Sequence, residues 1–334
     1  MNVNILIPII LIAIFFFVFL RSVRTDHLLP RPDPATSYEM AEKRLQAWAG
    51  EEAGIPLQEV CNTKVFSHGR RTEKVILFFH GYTTCPEQFT ELGRMFFENG
   101  YNVLIPCMPH HGWKDRLTDE LKYLTAEELA EYGNRSMDIA CGLGKRVIAL
   151  GISGGGTVVS WLAQNRSELD VALPLAAFLR MYVLPAFLTI PFINLFSLLP
   201  NFFVWWDPRT KEKNPFSIYY AYPRYSFRTL AEVMRLGLAV RRQAKIQGPA
   251  ASKILVMEND FDKGVSNVEI EKLTLLWKAH NPEKVSSYHF ARDMKMLHDI
   301  ITPGTPGIPT AEIYARILQV VETSEANIPI ESEK

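Results

Sequence analysis

Cysteine is scarce in this chain and charge of either sign is balanced, and both facts exclude classes of function. The four cysteines among 334 residues are Cys61, Cys85, Cys107 and Cys141, and no two of them form a C-x-x-C pair. A zinc site, a thioredoxin-like redox centre and a disulfide framework are not expected, and free thiols fit a reducing compartment. Lysine plus arginine equal aspartate plus glutamate at 36 each, so no basic surface for nucleic acid is predicted.

The glycine-rich stretch "ALGISGGGTVVSW" (Ala149–Trp161) lacks the features of nucleotide-binding loops. No lysine follows its glycines, as a phosphate-binding P-loop would require. Gly151, Gly154 and Gly156 do not have the G-x-G-x-x-G spacing of a dinucleotide site, and no acidic residue ends a following strand. We therefore expect neither a metal nor an organic cofactor.

Charged residues are also missing from the N-terminus, and this absence predicts a membrane anchor. The apolar run Ile5–Leu20 ends at Arg21 and Arg24. It is slightly shorter than the roughly 20 residues of a typical spanning helix, but its flanks can extend it. No early basic residue or small-residue cleavage site is present, which favours an uncleaved single-pass anchor over a signal peptide. The basic residues after the span favour a cytoplasmic catalytic domain.

Strand-like and helix-like segments alternate along the rest of the chain. This pattern predicts an α/β fold, with a mostly parallel central sheet and helices on both faces. The predicted strand Lys74–Phe79 is almost wholly apolar, as expected of a strand buried on both sides. We predict an anchor (1–25), a linker with the first helix (26–55), an α/β core (56–177 and 246–325), a lid or cap insert (178–245) and a tail (326–334).

The insert opens with a segment, Met181–Trp206, that carries no charge. Its length would allow a second membrane span, although Pro185, Pro191 and Pro200 argue against a continuous helix. Ordinary buried core and an apolar lid over an active site are the other two interpretations. The charged stretch that follows, "DPRTKEKN" (Asp207–Asn214), is expected to be a solvated turn.

The pattern that fits the glycine-rich stretch is G-x-S-x-G, at Gly151–Gly155, between a predicted strand and a predicted helix. In such a nucleophile elbow the serine, here Ser153, sits in a strained turn that only small neighbours permit. The elbow exposes the hydroxyl near the positive end of the helix dipole. Two backbone amides are expected to receive the oxyanion, those of Gly154 and of Tyr82, which follows the strand "VILFFHG".

A serine hydroxyl is a poor nucleophile until a base removes its proton. His298 stands after the last predicted strand and before the last predicted helix, where that base belongs. Its neighbour Asp299 is better placed as a local cap than as the acid of the triad. His280 and His289 fall on a predicted helix end and a predicted strand and are expected to be structural. Three of the histidines that precede the serine are expected in loops at the same face: His80, His110 and His111.

The acid that orients the histidine is expected at the end of "KILVMENDFD" (Lys253–Asp262), where three carboxylates compete. Asp262 is favoured because Val265 follows three residues later, in a common D-x-x-V pattern. Asp260 remains the alternative, and Glu258 is a more distant third.

Together these residues resemble the α/β-hydrolase fold family of serine esterases and lipases, including carboxylesterases and monoacylglycerol-lipase-like enzymes. The resemblance is carried by the oxyanion loop "FFHGYTTCPEQF", a loop "IPCMPHHG", the elbow "ALGISGGGTVVSWLAQ", the acid strand "ILVMENDFDKGVSN" and the histidine loop "HDIITPGTPG". It covers roughly Val60–Ala177 and Ile254–Leu318, leaving out the anchor and the insert. It implies the catalytic residues Ser153, Asp262 and His298 and the oxyanion donors Tyr82 and Gly154. The substrate is less closely fixed, because one fold hosts many reactions.

The sequence therefore predicts a membrane-anchored serine hydrolase that cleaves carboxylic esters, with lipid or other apolar acyl esters as substrates. Its expected partners are the small-molecule ester and, through the anchor, the bilayer. Acyl transfer to an acceptor other than water, or thioester cleavage, would use the same triad. A non-catalytic binding protein on the same fold is the alternative from a different class.

Overall fold

The structure is a computed structural model that describes residues 7–8, 15–19, 21–207, 218–290, 294–305 and 307–325. Outside these residues lie most of the apolar run (5–20) of the predicted anchor (1–25), nearly all of the predicted turn at 207–214 and the tail (326–334). Among the residues that are described, none of the helices is both long and apolar enough to cross a membrane. The anchor therefore stays a prediction.

Strands and helices alternate along the described chain. The strands are β1 (Lys64–Phe66), β2 (Thr72–Phe79), β3 (Asn102–Ile105), β4 (Gly144–Ile152), β5 (Val171–Leu175), β6 (Phe203–Trp205), β7 (Arg224–Ser226), β8 (Lys253–Asn259) and β9 (Val285–Phe290). The α-helices are α1 (Tyr38–Ala53), α2 (Thr90–Glu98), α3 (Ala126–Leu143), α4 (Gly154–Asn165), α5 (Thr189–Leu198), α6 (Phe227–Ala244), α7 (Asn267–His280) and α8 (Thr310–Glu325).

One seven-stranded sheet forms the centre of the described structure, in the order β1-β3-β2-β4-β5-β8-β9. Only the β1–β3 pair is antiparallel among its strand pairs. Residues of β2 alternate between two buried clusters, with Val75 and Leu77 on one face and Ile76 and Phe78 on the other. Helices α1, α3, α4, α6 and α7 cover the first face, and α2 and α8 cover the second. The predicted mostly parallel sheet between two helical layers is confirmed.

Local sequence signals set several helix boundaries. The Thr125 hydroxyl accepts a hydrogen bond from the Glu128 amide, and the Glu128 carboxylate accepts one from the Thr125 amide, so a capping box starts α3. Ser37 caps α1 in the same way, by accepting from the Met40 amide. A short 3-10 helix (Pro86–Phe89), with Pro86 at its start, precedes α2.

The insert divides into a cap and a core helix. Its apolar first part forms α5 and β6, and β6 pairs antiparallel with β7 later in the insert. With 10 residues, α5 is half as long as a spanning helix needs to be. The spanning alternative for Met181–Trp206 is therefore wrong, because the helix in this segment begins after Pro185 and ends before Pro200. Helix α6 packs in the main core beside α4, since a Cβ on its Gly237 would lie 3.7 Å from Thr157.

Residues 21–35, which we call the strap, lie against the core although their prolines predict a linker. Val23 and Leu28 are buried. The Leu28 carbonyl accepts a hydrogen bond from the Trp161 indole at 2.9 Å, and the Val23 carbonyl accepts one from the Arg242 guanidinium at 2.5 Å. Because side chains of α4 and α6 hold its carbonyls, the strap is a fixed part of the domain.

Cys61 and Cys85 form a disulfide, so the expectation of free thiols is wrong for this pair. Their Cα atoms lie 5.2 Å apart, within the range for a disulfide, because the turn that contains Cys61 packs beside the loop after β2. Cys107 and Cys141 are free. The sequence gives no sign of the pairing, since it depends on which loops the fold brings together.

The disulfide is expected to stabilise the domain measurably. It joins residues 24 apart in sequence, and a loop of that size corresponds to about 3 kcal/mol of unfolding free energy. The double variant Cys61→Ser/Cys85→Ser should lose about that amount in denaturant unfolding. Cys141→Ser, which removes a free thiol, is the matched control, and equal stability of the two variants would contradict the expectation.

Candidate active site

Ser153 lies between the end of β4 and the start of α4 with a strained backbone, at φ 57° and ψ −116°. Glycine is required on both sides of it. A Cβ on Gly151 would lie 2.4 Å from the Gly155 oxygen, and a Cβ on Gly155 would lie 2.0 Å from the Phe79 oxygen. The two glycines of G-x-S-x-G are therefore needed because the turn packs closely on α4 and on β2. Ser153 has the strained backbone between strand and helix that the pattern predicts.

The two expected oxyanion donors belong to adjacent backbone segments. The Gly154 amide is in the first turn of α4, where amides have no partner within the helix. A Cβ on Gly154 would lie 3.5 Å from the Tyr82 nitrogen, so the loop after β2 packs directly against the elbow. The Tyr82 hydroxyl in turn accepts from the Ser226 amide at 3.0 Å, which ties this loop to the cap.

Two buried histidines hold the loop after β2 through hydrogen bonds. From the sequence, both were expected only in loops near the site. His80 Nε2 accepts from the Met108 amide at 3.0 Å, so Nδ1 carries the proton and donates to the Gly81 oxygen. His111 Nε2 accepts from the Thr83 amide at 3.3 Å. Burial lowers the pKa of His80 to about 4 and lowers that of His111 well below its usual range. Both rings are therefore neutral near pH 7 and act as fixed hydrogen-bonding braces.

The structure places Asp262, rather than Asp260, beside His298. The Asp262 side chain is fully buried, and its Oδ2 lies 2.6 Å from His298 Nδ1. Its Oδ1 accepts from the amides of Gly264 and Val265. This second contact gives the predicted D-x-x-V spacing a physical basis, because the valine amide fixes the carboxylate.

The other two carboxylates of this segment face a different histidine. Asp260 Oδ1 lies 3.1 Å from His289 Nδ1, and its side chain is 45% exposed. Glu258 is buried, and its Oε1 lies 3.9 Å from His289 Nε2. Burial raises the pKa of the Glu258 carboxyl to about 7. Neither contacts His298.

The electrostatics of His298 suit a general base that becomes a cation. Burial disfavours its protonation, but the hydrogen bond to Asp262 and the charge of that carboxylate outweigh burial and hold the His298 pKa above its usual value. Ser153 and His298 line the same cavity, although within the described residues their side chains share no hydrogen bond. Such contacts are often long without substrate and tighten when it binds.

The cavity above Ser153 has a volume of about 540 Å³ and is mostly apolar. The cap contributes much of its wall, through Phe178, Met181, Tyr182, Val183, Trp206 and Tyr225. Of the three interpretations of the uncharged segment, a lid over the site therefore describes its position best. Its polar lining comes from the loop after β2 and from the segments around Lys263 and His298.

No protein-family model and no curated protein matches this chain. Solved structures of lipolytic enzymes nevertheless share its architecture. A structure of the metagenome-derived lipolytic enzymes LipS and LipT covers 80% of this chain and 99% of its own, at 15% identity and a TM-score of 0.57. The monoacylglycerol lipase of Paleococcus ferrophilus covers 78% and 97%, at 16% identity and a TM-score of 0.54.

A soluble variant of the monoglyceride lipase from Saccharomyces cerevisiae, solved with a substrate analog, covers 78% of this chain and 91% of its own. Its identity is 15% and its TM-score is 0.55. At such identities the likeness concerns the fold alone. The chain has the α/β-hydrolase fold that its motifs predict.

Proposed function

We propose that the protein hydrolyses carboxylic esters through an acyl-enzyme formed on Ser153. The observation that carries the proposal is the hydrogen bond between Asp262 and His298, at the wall of the cavity onto which the strained serine opens. The Ser153 hydroxyl attacks the ester carbonyl while His298 Nε2 takes its proton and passes it to the leaving alcohol. Asp262 keeps the other ring nitrogen protonated and stabilises the imidazolium.

The backbone amides of Gly154 and Tyr82 donate hydrogen bonds to the carbonyl oxygen as negative charge develops on it. Removing one such donor typically costs about 10²–10³-fold in rate. A water molecule, activated by the same histidine, then attacks the acyl-enzyme and releases the acid.

The apolar wall of the cavity supports esters of apolar acyl chains as the substrate class. We expect the purified full chain in detergent micelles to react with a fluorophosphonate probe. We also expect it to hydrolyse p-nitrophenyl esters with a kcat/KM that rises from acetate towards long acyl chains. A preference for acetate that is indifferent to micelles would contradict the proposed substrate class. Absence of both labelling and turnover would contradict the proposed reaction.

We also propose that the N-terminal segment holds the cap at a bilayer. Phe15, Phe16 and Phe19 are exposed, which favours contact with lipid.

The N-terminal segment is also attached to the cap. The buried Asn194 amide of α5 donates to the carbonyls of Val18 at 3.0 Å and of Arg21 at 2.9 Å. The end of the segment is thereby fixed to the cap, so attachment to a membrane would bring the mouth of the cavity to its surface. Exposed apolar side chains of the cap, Val183 and Phe187, support the same orientation.

Truncation tests this proposal. Deleting residues 1–20 should abolish flotation with phosphatidylcholine vesicles while a soluble short ester is still turned over within about twofold of the full chain. Deleting residues 1–29 should also destabilise the fold, because it removes Val23 and Leu28, and burial of one such side chain stabilises by about 1.5–3 kcal/mol. Equal flotation of the full chain and the 1–20 deletion would contradict the anchor.

Two features give opposite indications of the side of the membrane on which the catalytic domain lies. Arg21 and Arg24 favour the cytoplasmic side, whereas the Cys61–Cys85 disulfide is typical of an oxidising compartment. The cytoplasmic location stays a prediction. Acid quenching of cells, followed by alkylation and mass spectrometry of the two cysteines, tests it: a reduced pair supports the cytoplasm, and an oxidised pair contradicts it.

A further inference from the structure

The side-chain amide of Gln88 connects two loops that meet at the cavity. The oxyanion loop (residues 80–85) follows β2, and the histidine loop (residues 294–305) follows β9. Gln88 is 1% exposed. Its Oε1 accepts from the Gly81 amide at 2.8 Å, and its Nε2 donates to Asp299 Oδ2 at 3.0 Å and lies 3.2 Å from Thr302 Oγ1.

The orientation of this amide follows from its partners. A backbone N–H can only donate, so the oxygen must face Gly81, and an ionised carboxylate can only accept, so the nitrogen must face Asp299. The Thr84 hydroxyl lies 2.8 Å from the same Oε1. The amide is therefore engaged on both sides, with one loop held by its oxygen and the other by its nitrogen.

Each loop is also held by hydrogen bonds that do not involve Gln88. In the histidine loop, Asp299 Oδ1 accepts from the amides of Ile301 and Thr302. The oxyanion loop is braced by His80 and His111, as described above. Because Gln88 is bonded to both loops, it fixes the position of one loop relative to the other.

We propose that Gln88 is a positioning residue for the reaction, which sets the oxyanion donor at Tyr82 relative to the base His298. The inference rests on the proposed ester hydrolysis. Gly81 immediately precedes Tyr82, and Asp299 immediately follows His298, so the two held atoms are each one residue from a group that acts on the ester. A displacement of about 1 Å between such groups can cost about 10²-fold in rate.

Gln88→Glu is the sharpest single change because it keeps the acceptor for Gly81 and replaces the donor facing Asp299 with a second carboxylate. The repulsion should separate the loops. We expect kcat for a soluble p-nitrophenyl ester to fall about 10²-fold while KM stays within about threefold. A folded variant with kcat within threefold of wild type would overturn the proposal.

The double variant Gln88→Glu/Asp299→Asn restores the link with donor and acceptor exchanged. The amide introduced at position 299 can donate to the carboxylate at position 88, and its oxygen can still accept from the amides of Ile301 and Thr302. We expect this variant to regain at least tenfold of the lost kcat. A double variant no faster than Gln88→Glu would overturn the proposal, because a loss through unspecific packing damage would not be repaired by a second polar change.

Gln164 provides a matched control. It is as buried as Gln88 and uses both ends of its amide, with Oε1 accepting from the Trp277 indole and Nε2 donating to the Gly248 oxygen. It does not line the cavity, so Gln164→Glu should lower thermal stability and leave the kcat of the folded protein unchanged. A kcat loss equal to that of Gln88→Glu would overturn the proposal.

Two further results keep the test decisive. If Gln88→Glu does not fold, Gln88→Met, which has a similar shape and no amide, takes its place. A kcat loss of at least tenfold at unchanged KM then supports the proposal, and a smaller loss overturns it.

A wild-type chain without probe labelling or ester turnover would overturn the proposed function itself. That result is distinct from an active wild type whose Gln88 variants are equally active.

Discussion

Replacing Ser153 with alanine is expected to lower ester turnover by about 10⁶-fold and to abolish covalent labelling by a fluorophosphonate. The substitution removes the only atom that can form the acyl-enzyme in the proposed reaction. The alanine methyl group occupies less space than the hydroxymethyl group, so the cavity and the fold should remain. Labelling and p-nitrophenyl ester hydrolysis of the purified variant measure both effects.

Ser160 supplies the control for this substitution. It lies in the same helix, α4, and its hydroxyl donates to the Gly156 oxygen at 2.8 Å, away from the cavity. Ser160→Ala should retain full labelling and turnover. Labelling that persists in Ser153→Ala would mean that another nucleophile reacts, and the proposed mechanism would then be incorrect.

Replacing Asp262 with asparagine is expected to lower kcat by about 10⁴-fold. An asparagine amide facing His298 Nδ1 would donate to it and shift the ring proton to Nε2. A ring protonated at Nε2 cannot accept the proton of Ser153. The Oδ1 contacts with Gly264 and Val265 can be kept by the asparagine oxygen, so the loop should stay folded, which a thermal melt can verify.

The pH dependence of kcat/KM gives an independent measure of the same pair. His298 acts as a base only when neutral, so activity should be lost as pH falls through its pKa. Because Asp262 holds that pKa above its usual value, the acid limb of the wild type should have its midpoint above about 6.5. In Asp262→Asn burial remains while the carboxylate charge is lost, so the limb should move to lower pH.

Asp260→Asn is the matched control for the acid. Asp260 lies two residues away but faces His289 from an exposed position, so its variant should keep kcat within about twofold of wild type. A larger loss in Asp260→Asn than in Asp262→Asn would reverse the assignment of the acid.

The fold and most of the site could be predicted where chemistry depends on local spacing. Ser153 needs small neighbours within one turn, and Asp262 needs the amide three residues ahead, so both leave short patterns in the sequence. Strands buried on two faces read as continuous apolar runs, as in β2, and alternate with amphipathic helices. These signals give the order of the elements and the edge of the sheet where the site forms.

Features that join distant segments left no such pattern. The pairing of Cys61 with Cys85, the bracing by His80 and His111, and the packing of the strap each depend on loops that meet only after folding. The sequence predicted only a linker there, because a polar, proline-rich composition does not reveal whether core side chains will hold its carbonyls. The Leu28 carbonyl, for example, is bonded by the indole of Trp161, far along the chain.

The strap also sets the order in which this protein can become complete during synthesis. The partner of the Val23 carbonyl, Arg242, is 219 residues further along the chain. At roughly 5–20 residues per second, a ribosome needs on the order of ten seconds or more to add that length. Throughout this interval the Val23 carbonyl lacks its guanidinium partner, although Trp161, which bonds the Leu28 carbonyl, is made earlier. The earliest residues made are thus among the last to reach their final place.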